Sequence, residues 1–231
     1  MVLVLFDIDG TLITSGGTGR KAIAAALSAF CGTDIDITKV ALGGRTDPAI
    51  VRDCLRLGGF SEDEIPALIP LCLEQYAAAL ENVIRPEHVT LLPGVQKLLD
   101  TLASRPDYYL GLITGNLEKT AYMKLGAGRI ASYFPCGGFG SDHEDRNMLP
   151  QFAADRASAH YGLSFSPSKT IVIGDTEHDI KCSRHFGAWA MAVSTGMSTH
   201  DNLAGLDPDL LVTTLDETNT VWPFFESILD R

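Results

Sequence analysis

Val2-Leu3-Val4-Leu5-Phe6 runs straight into Asp7-Ile8-Asp9-Gly10-Thr11. A short unbroken apolar run of this kind reads as a strand buried on both faces. It delivers two carboxylates at its carboxyl end. Side chains two apart on a strand share a face, so Asp7 and Asp9 project together, and Gly10 lets the chain turn sharply after them. Like charges held this close repel each other. The arrangement makes sense when a divalent metal neutralises one charge or one carboxyl keeps a proton. A strand running into an ordinary Asp-Gly turn uses the same residues, and the pentapeptide alone leaves both readings open.

Two further apolar runs end the same way. Tyr109 to Ile113 ends in Thr114-Gly115-Asn116, and Thr170 to Ile173 ends in Gly174-Asp175-Thr176-Glu177-His178-Asp179. Ligands of open parallel α/β sheets sit outside the carboxyl ends of the strands. The three runs therefore pool Asp7, Asp9, Thr114, Asp175 and Asp179 in one crevice. Their combination and order resemble the haloacid dehalogenase superfamily of aspartate-nucleophile hydrolases, over most of the chain outside residues 15 to 88. Alternating strand and helix after residue 93 also predicts a doubly wound parallel α/β sheet; the resemblance makes it a Rossmann-like core.

At 231 residues, one core plus an insertion is the expected organisation. No apolar run approaches the roughly 20 residues of a membrane helix, and the N-terminus lacks the basic region and cleavage site of a signal peptide, so a soluble cytoplasmic protein is expected. Cys31, Cys54, Cys72, Cys136 and Cys182 are odd in number and never form Cys-x-x-Cys, which argues against a disulfide framework or a zinc site. The net charge of −11 makes nucleic acid an unsuitable partner. It also repels anionic substrates at long range, so a site for one needs its own local positive charge.

Residues 15 to 88 read as an all-helical insert, with helical patterns over Arg20 to Phe30, Pro48 to Leu57 and Ser61 to Leu80, and with Ser61 placed to cap the last. The expected division is a catalytic core of residues 1–14 and 89–231 and a helical cap of residues 15–88. In the core, helices are predicted at Pro93 to Leu102, Leu117 to Leu125, Leu149 to Tyr161, Asp179 to Phe186 and near Trp222 to Leu229. Short strands are expected around Phe134 to Phe139, Trp189 to Val193 and Leu210 to Val212.

The resemblance implies roles for the pooled residues. Asp7 is the nucleophile and a metal ligand. Asp9 is the general acid and base, lending its backbone carbonyl to a magnesium ion. Asp175 is a third ligand, and Asp179 steadies the metal site; standing alone, these two aspartates serve equally well as caps of the following helix. Thr114, with the backbone donors of Gly115 and Asn116, faces a phosphoryl oxygen, although capping is the commoner use of such residues. The family also needs a cation, usually lysine, before the last motif. Lys169 lies at the far end of its strand, roughly 15 to 20 Å from the catalytic edge at about 3.3 Å per residue. Arg146 is better placed and can hold phosphate through paired hydrogen bonds, unless it merely pairs with Glu144 or Asp145. In the cap, Gly43-Gly44-Arg45-Thr46-Asp47 makes Arg45 and Thr46 candidates for contacting the leaving group, against an ordinary turn in which Thr46 or Asp47 caps the helix at Pro48.

Other classes use parts of this pattern. Receiver domains of bacterial signalling also gather acidic residues, Thr and Lys around magnesium, but here the aspartates bracket one residue and precede Gly-Thr. Gly17-Thr18-Gly19-Arg20-Lys21-Ala22 matches a relaxed dinucleotide fingerprint, yet follows no convincing strand and lacks a well-spaced acidic residue. Dehalogenases lack the second acidic residue of the first motif, so Asp9 favours phosphate chemistry. The expected protein is a magnesium-dependent phosphatase similar to the phosphoglycolate phosphatase-like branch with a helical C1-type cap, monomeric or homodimeric, acting on a small phosphorylated metabolite. A sugar-phosphate mutase on the same core is the alternative.

Overall fold

The computed structural model describes residues 1–32 and 35–231. β1 (Val2–Phe6) lies in the middle of a parallel sheet, flanked by β4 (Tyr108–Thr114) and β6 (Thr170–Gly174). β5 (Gly137–Phe139) closes one edge, and β7 (Trp189–Val193) and β8 (Leu210–Val212) extend the other, giving the order β5-β4-β1-β6-β7-β8. The α/β doubly wound sheet read from the sequence is the observed fold. Its strands lie between two apolar layers, and β1 shows why the run is uninterrupted. Val2, Val4 and Phe6 pack into one layer with Leu112, Ile173 and Phe225, while Leu3 and Leu5 pack into the other with Val172 and Ala153. Every residue of β1 is buried. At about 25 cal/mol per Å² of apolar surface removed from water, such two-sided burial is what fixes this strand at the centre.

Helices α4 (Val95–Ala103), α5 (Glu118–Ala127), α6 (Leu149–Tyr161), α7 (Glu177–Phe186), α8 (His200–Ala204) and α9 (Thr218–Leu229) flank the sheet. α9 starts four residues before the predicted Trp222 and carries Pro223 inside it. The N–H that proline lacks would otherwise be bonded to the preceding turn, and the apolar stripe of Val221, Phe225 and Ile228 compensates by burial in the main core. The predicted strand around Phe134 to Phe139 shrinks to Gly137–Phe139, with a 3-10 turn over Ala131–Tyr133 before it.

Between β1 and β4 the chain forms α1 (Thr18–Cys31), α2 (Asp47–Leu57) and α3 (Ile65–Val83). These helices share an apolar cluster built on Ile23, Leu27, Val51, Leu55, Ile69 and Leu80, which Leu117, just before α5, joins from the core. Two short strands missing from the sequence reading, β2 (Ile13–Thr14) and β3 (Thr90–Leu91), pair antiparallel at the base of this segment. Ser61 does not accept a capping bond. Its N–H and hydroxyl both donate to Glu64, the residue immediately before α3.

Candidate active site

β1 carries Asp7 to the carboxyl edge of the sheet, where its N–H donates to the carbonyl of Ile173 on β6. Gly10 then turns at φ +91°. A Cβ there would lie 2.6 Å from Asp175 Oδ2, so glycine is required both by the backbone angle and by the neighbouring carboxylate. Asp175 is 1% exposed, with Thr11 Oγ1 donating to Oδ1 at 3.0 Å and the Met197 N–H donating to Oδ2 at 3.1 Å.

The acidic groups Asp7, Asp175 and Asp179 offer ligand oxygens all within 4.8 Å of one another. Burial pushes the Asp7 carboxyl well above its ordinary value against the pull of Arg146, with Asp179 and Asp9 adding to the rise. Asp175 is pushed up by burial first and then by Asp7 and Asp179. Asp179 divides its oxygens between the two roles considered from sequence. Oδ2 takes the Thr176 N–H at 3.0 Å and the Thr176 hydroxyl at 2.6 Å in a reciprocal cap of α7, while Oδ1 takes Arg146 at 2.5 Å.

Arg146 stands at the centre of this group, in a 3-10 turn over Arg146–Met148 leading into α6. It is 6% exposed; Nη2 donates to Asp7 Oδ1 at 2.9 Å and to Asp179 Oδ1, and Nη1 donates to the Gly44 carbonyl at 3.1 Å. Burial opposes its charge, but Asp179 and Asp7 outweigh that effect and hold it well above the usual arginine value. Glu144 and Asp145 are not its partners: Glu144 pairs with Arg52, and Asp145 accepts from the Asn147 N–H. Lys169 lies at the opposite end of β6, donating to the carbonyls of Ile228 and Leu229 at the end of α9.

β4 ends in Thr114, 1% exposed, whose hydroxyl oxygen accepts from the Asn116 N–H and from Asn116 Nδ2 at 2.7 Å. Gly115 passes directly beneath the α2 segment, and a side chain there would overlap the Arg45 carbonyl. These residues open on a cleft of about 460 Å³ with Asp7, Asp9 and Asp175 on its sheet side and Ile23, Ile50 and Tyr76 on its helical side. The dinucleotide-like Gly17 and Gly19 also line it, at the start of α1 and not after a strand of the main sheet.

The loop candidates separate. Arg45 lines the cleft, but its guanidinium is bound to Asp53 Oδ2 at 2.5 Å and to carbonyls of its own segment. Thr46 does not reach the cleft wall. It is 1% exposed, its oxygen caps α2 by accepting from Ala49, and its hydroxyl donates to the Glu144 carbonyl at 2.7 Å. The ordinary-turn reading describes Thr46, because a buried hydroxyl is held by whichever backbone groups lack partners.

Lys124 escaped the sequence reading, and Asp47 entered it only as a helix cap. Lys124, on α5, is 4% exposed and donates to Asp9 Oδ2 at 2.5 Å and to Asn116 Oδ1 at 2.7 Å. Asp47, the first residue of α2, donates its N–H to the Gly115 carbonyl and accepts the Leu117 N–H at 2.9 Å, joining the helical segment to the start of α5. Burial pushes its carboxyl up to about 6, against Lys124 and the Leu117 N–H, with Asp9 adding to the rise. A signal for Lys124 exists in the sequence: it falls on one helical stripe with Thr120, Ala121 and Leu125, a buried face on which a free lysine is out of place.

The sequence model of the family described as haloacid dehalogenase-like hydrolase matches residues 4–193. The chain belongs to this family. A phosphoglycolate phosphatase of Synechococcus elongatus is 28% identical over 220 residues, covering 93% of each chain. The pyrophosphatase PpaX of Anoxybacillus flavithermus is 23% identical over 90% of this chain and 91% of its own. Among solved structures, a β-phosphoglucomutase from Clostridium difficile superposes with a TM-score of 0.70 at 18% identity over the full length of both chains. At that identity the likeness shows the fold alone. In this haloacid dehalogenase-like hydrolase, the family-matched segment holds Asp7, Asp9, Thr114, Arg146, Asp175 and Asp179. No described helix is long and apolar enough to cross a membrane.

Proposed function

We propose that this hydrolase is a magnesium-dependent phosphatase that cleaves a small phosphorylated metabolite through an aspartyl-phosphate on Asp7. The observation that carries the reading is the floor of the cleft, where buried Asp7 faces Arg146 between Asp175 and Asp179. Three buried carboxylates meet one guanidinium there, leaving negative charge unmatched, and an all-oxygen donor set suits a hard divalent cation. Asp7, Asp175 and the Asp9 carbonyl would hold magnesium, with Asp179 steadying the site. Bound there, magnesium supplies Lewis-acid stabilisation of the charge developing on the phosphoryl oxygens.

The chain's own residues supply the rest. Asp7 Oδ attacks phosphorus, forming the acyl-phosphate bond as the ester P–O bond breaks, and Asp9 protonates the departing oxygen. Asp9 then takes a proton from water, which attacks the same phosphorus and returns Asp7 as a carboxylate. Arg146 offsets the repulsion between carboxylate and phosphate. The Thr114 hydroxyl accepts from Asn116 but donates to no described residue, so its proton is free for a phosphoryl oxygen. Residues 15–88 serve as the cap: their helices are built on an apolar cluster distinct from the sheet's and close the cleft from above.

The relatives named as phosphatases support hydrolysis over the mutase alternative. Purified protein is to be assayed against a panel of phosphorylated metabolites, with magnesium and with EDTA. Magnesium-dependent release of inorganic phosphate is expected. An isomerised sugar phosphate without phosphate release would favour the mutase, and turnover undiminished by chelation would overturn the metal assignment.

A further inference from the structure

We infer that Lys124 is a positioning residue that orients Asp9. The inference rests on the phosphatase reading. Asp9 Oδ2 accepts two donors, Lys124 Nζ at 2.5 Å and Asn116 Nδ2 at 2.8 Å, and Lys124 is tied in turn to Asn116 Oδ1 at 2.7 Å. Asp9, Asn116 and Lys124 thus close a ring of three hydrogen bonds. Among the described residues Asp9 Oδ1 has no partner, and the Asp9 side chain remains 40% exposed while that of Lys124 is 5% exposed. One oxygen of the carboxylate is anchored and the other is left to the cleft that Asp9 lines.

A single hydrogen bond leaves a carboxylate free to rotate about χ2, which is a broad torsion. Two donors on one oxygen, one of them charged, fix it. The oxygen that works on the leaving group is then Oδ1, and its aim depends on Lys124.

The lysine is itself covered by α1. A Cβ on Gly19 of α1 would stand 3.3 Å from both Lys124 Cε and Nζ and 3.7 Å from the Tyr76 hydroxyl of α3. The N-terminal turn of α1 therefore lies against the ammonium, and a side chain at position 19 would press on it. Buried there, Lys124 attracts Asp9 several-fold more strongly than it would in water.

The test compares the wild type with Lys124→Met on two esters, an alkyl phosphate from the active panel and p-nitrophenyl phosphate, whose leaving oxygen departs without a proton. kcat/KM reports the first phosphoryl transfer, and thermal melting reports the fold. The expected result is a loss of about 10² on the alkyl ester, within the range of general acid catalysis, against less than about tenfold on p-nitrophenyl phosphate. Lys124→Gln keeps a donor without the charge, so its alkyl loss should fall between the two, and it carries the comparison if Lys124→Met does not fold. Equal losses on both esters, or no loss on either, would overturn the positioning role. A wild type inactive on every ester would instead overturn the phosphatase reading and this inference with it.

Discussion

Arg146 Nη2 stands 2.9 Å from Asp7 Oδ1, 139 positions away in the chain, and both side chains are more than nine-tenths buried. The loop before α6 and the end of β1 meet there because β1 lies in the middle of the sheet and α6 packs across it. Charge that the acidic chain as a whole lacks is thus delivered at one point.

Removing that cation leaves Asp7 and Asp179 buried beside each other with no counter-charge. Arg146→Ala should reduce turnover by about 10² to 10³, as loss of a comparable electrostatic donor does elsewhere. Lys169→Ala should leave turnover within about twofold and lower stability by about 1.5 to 3 kcal/mol, since it loses two charged hydrogen bonds at the end of α9. Steady-state kinetics and urea unfolding of the two variants check both statements; a crippling loss of turnover in Lys169→Ala would contradict this geometry.

Asp7→Asn keeps the shape of the side chain and removes the attacking charge. Turnover should fall by several orders of magnitude while the melting transition stays cooperative. Retention of a tenth of the wild-type activity would refute Asp7 as nucleophile.

Asp47 gives a pH signature separate from catalysis. Its carboxyl is held at about 6 against an ordinary 3.8, mainly by burial. A raised folded value means that the folded state binds the proton more tightly, so the stabilisation is full below pH 3.8 and is lost as pH rises through about 6. Asp47→Asn lacks this dependence. The stability of the wild type relative to Asp47→Asn should therefore fall by about 2 to 2.5 kcal/mol between pH 4 and pH 7, at about 1.4 kcal/mol per pKa unit, measured by urea titration at each pH.

Thr46 and Arg45 should behave as parts of the α2 loop. Thr46→Ala loses the cap on Ala49 and the bond to Glu144 and should cost about 1 to 2 kcal/mol. Arg45→Ala breaks a partly exposed pair with Asp53 and should cost about 1 kcal/mol or less. Neither should change the ratio of kcat/KM between a large and a small phosphate ester by tenfold. A selective tenfold loss on the large ester in Arg45→Ala would return that residue to substrate recognition.

The sequence by itself determined the parallel sheet, because three apolar runs, each ending in polar residues, can be buried on both faces only at the centre of such a sheet. It also determined that Asp7, Asp9, Thr114, Asp175 and Asp179 share one edge, since strand direction alone carries them there. Strand length likewise separated Lys169 from that edge. Tertiary structure decided what these groups touch. Lys124 and Asp9 lie 115 positions apart, and no periodicity relates them. The α5 stripe announced a buried face but not the carboxylate beneath it. β2 and β3, two residues each, are too short to alternate visibly and form only because the chain leaves and rejoins the core side by side. Thr46 was left open for the opposite reason, since its local motif suits both a ligand loop and a cap. Burial against Glu144 made the choice, because a hydroxyl removed from water must bond to the nearest unpaired backbone. Periodicity and strand polarity act along the chain and are legible there, whereas partner choice among buried polar groups depends on which distant segment arrives.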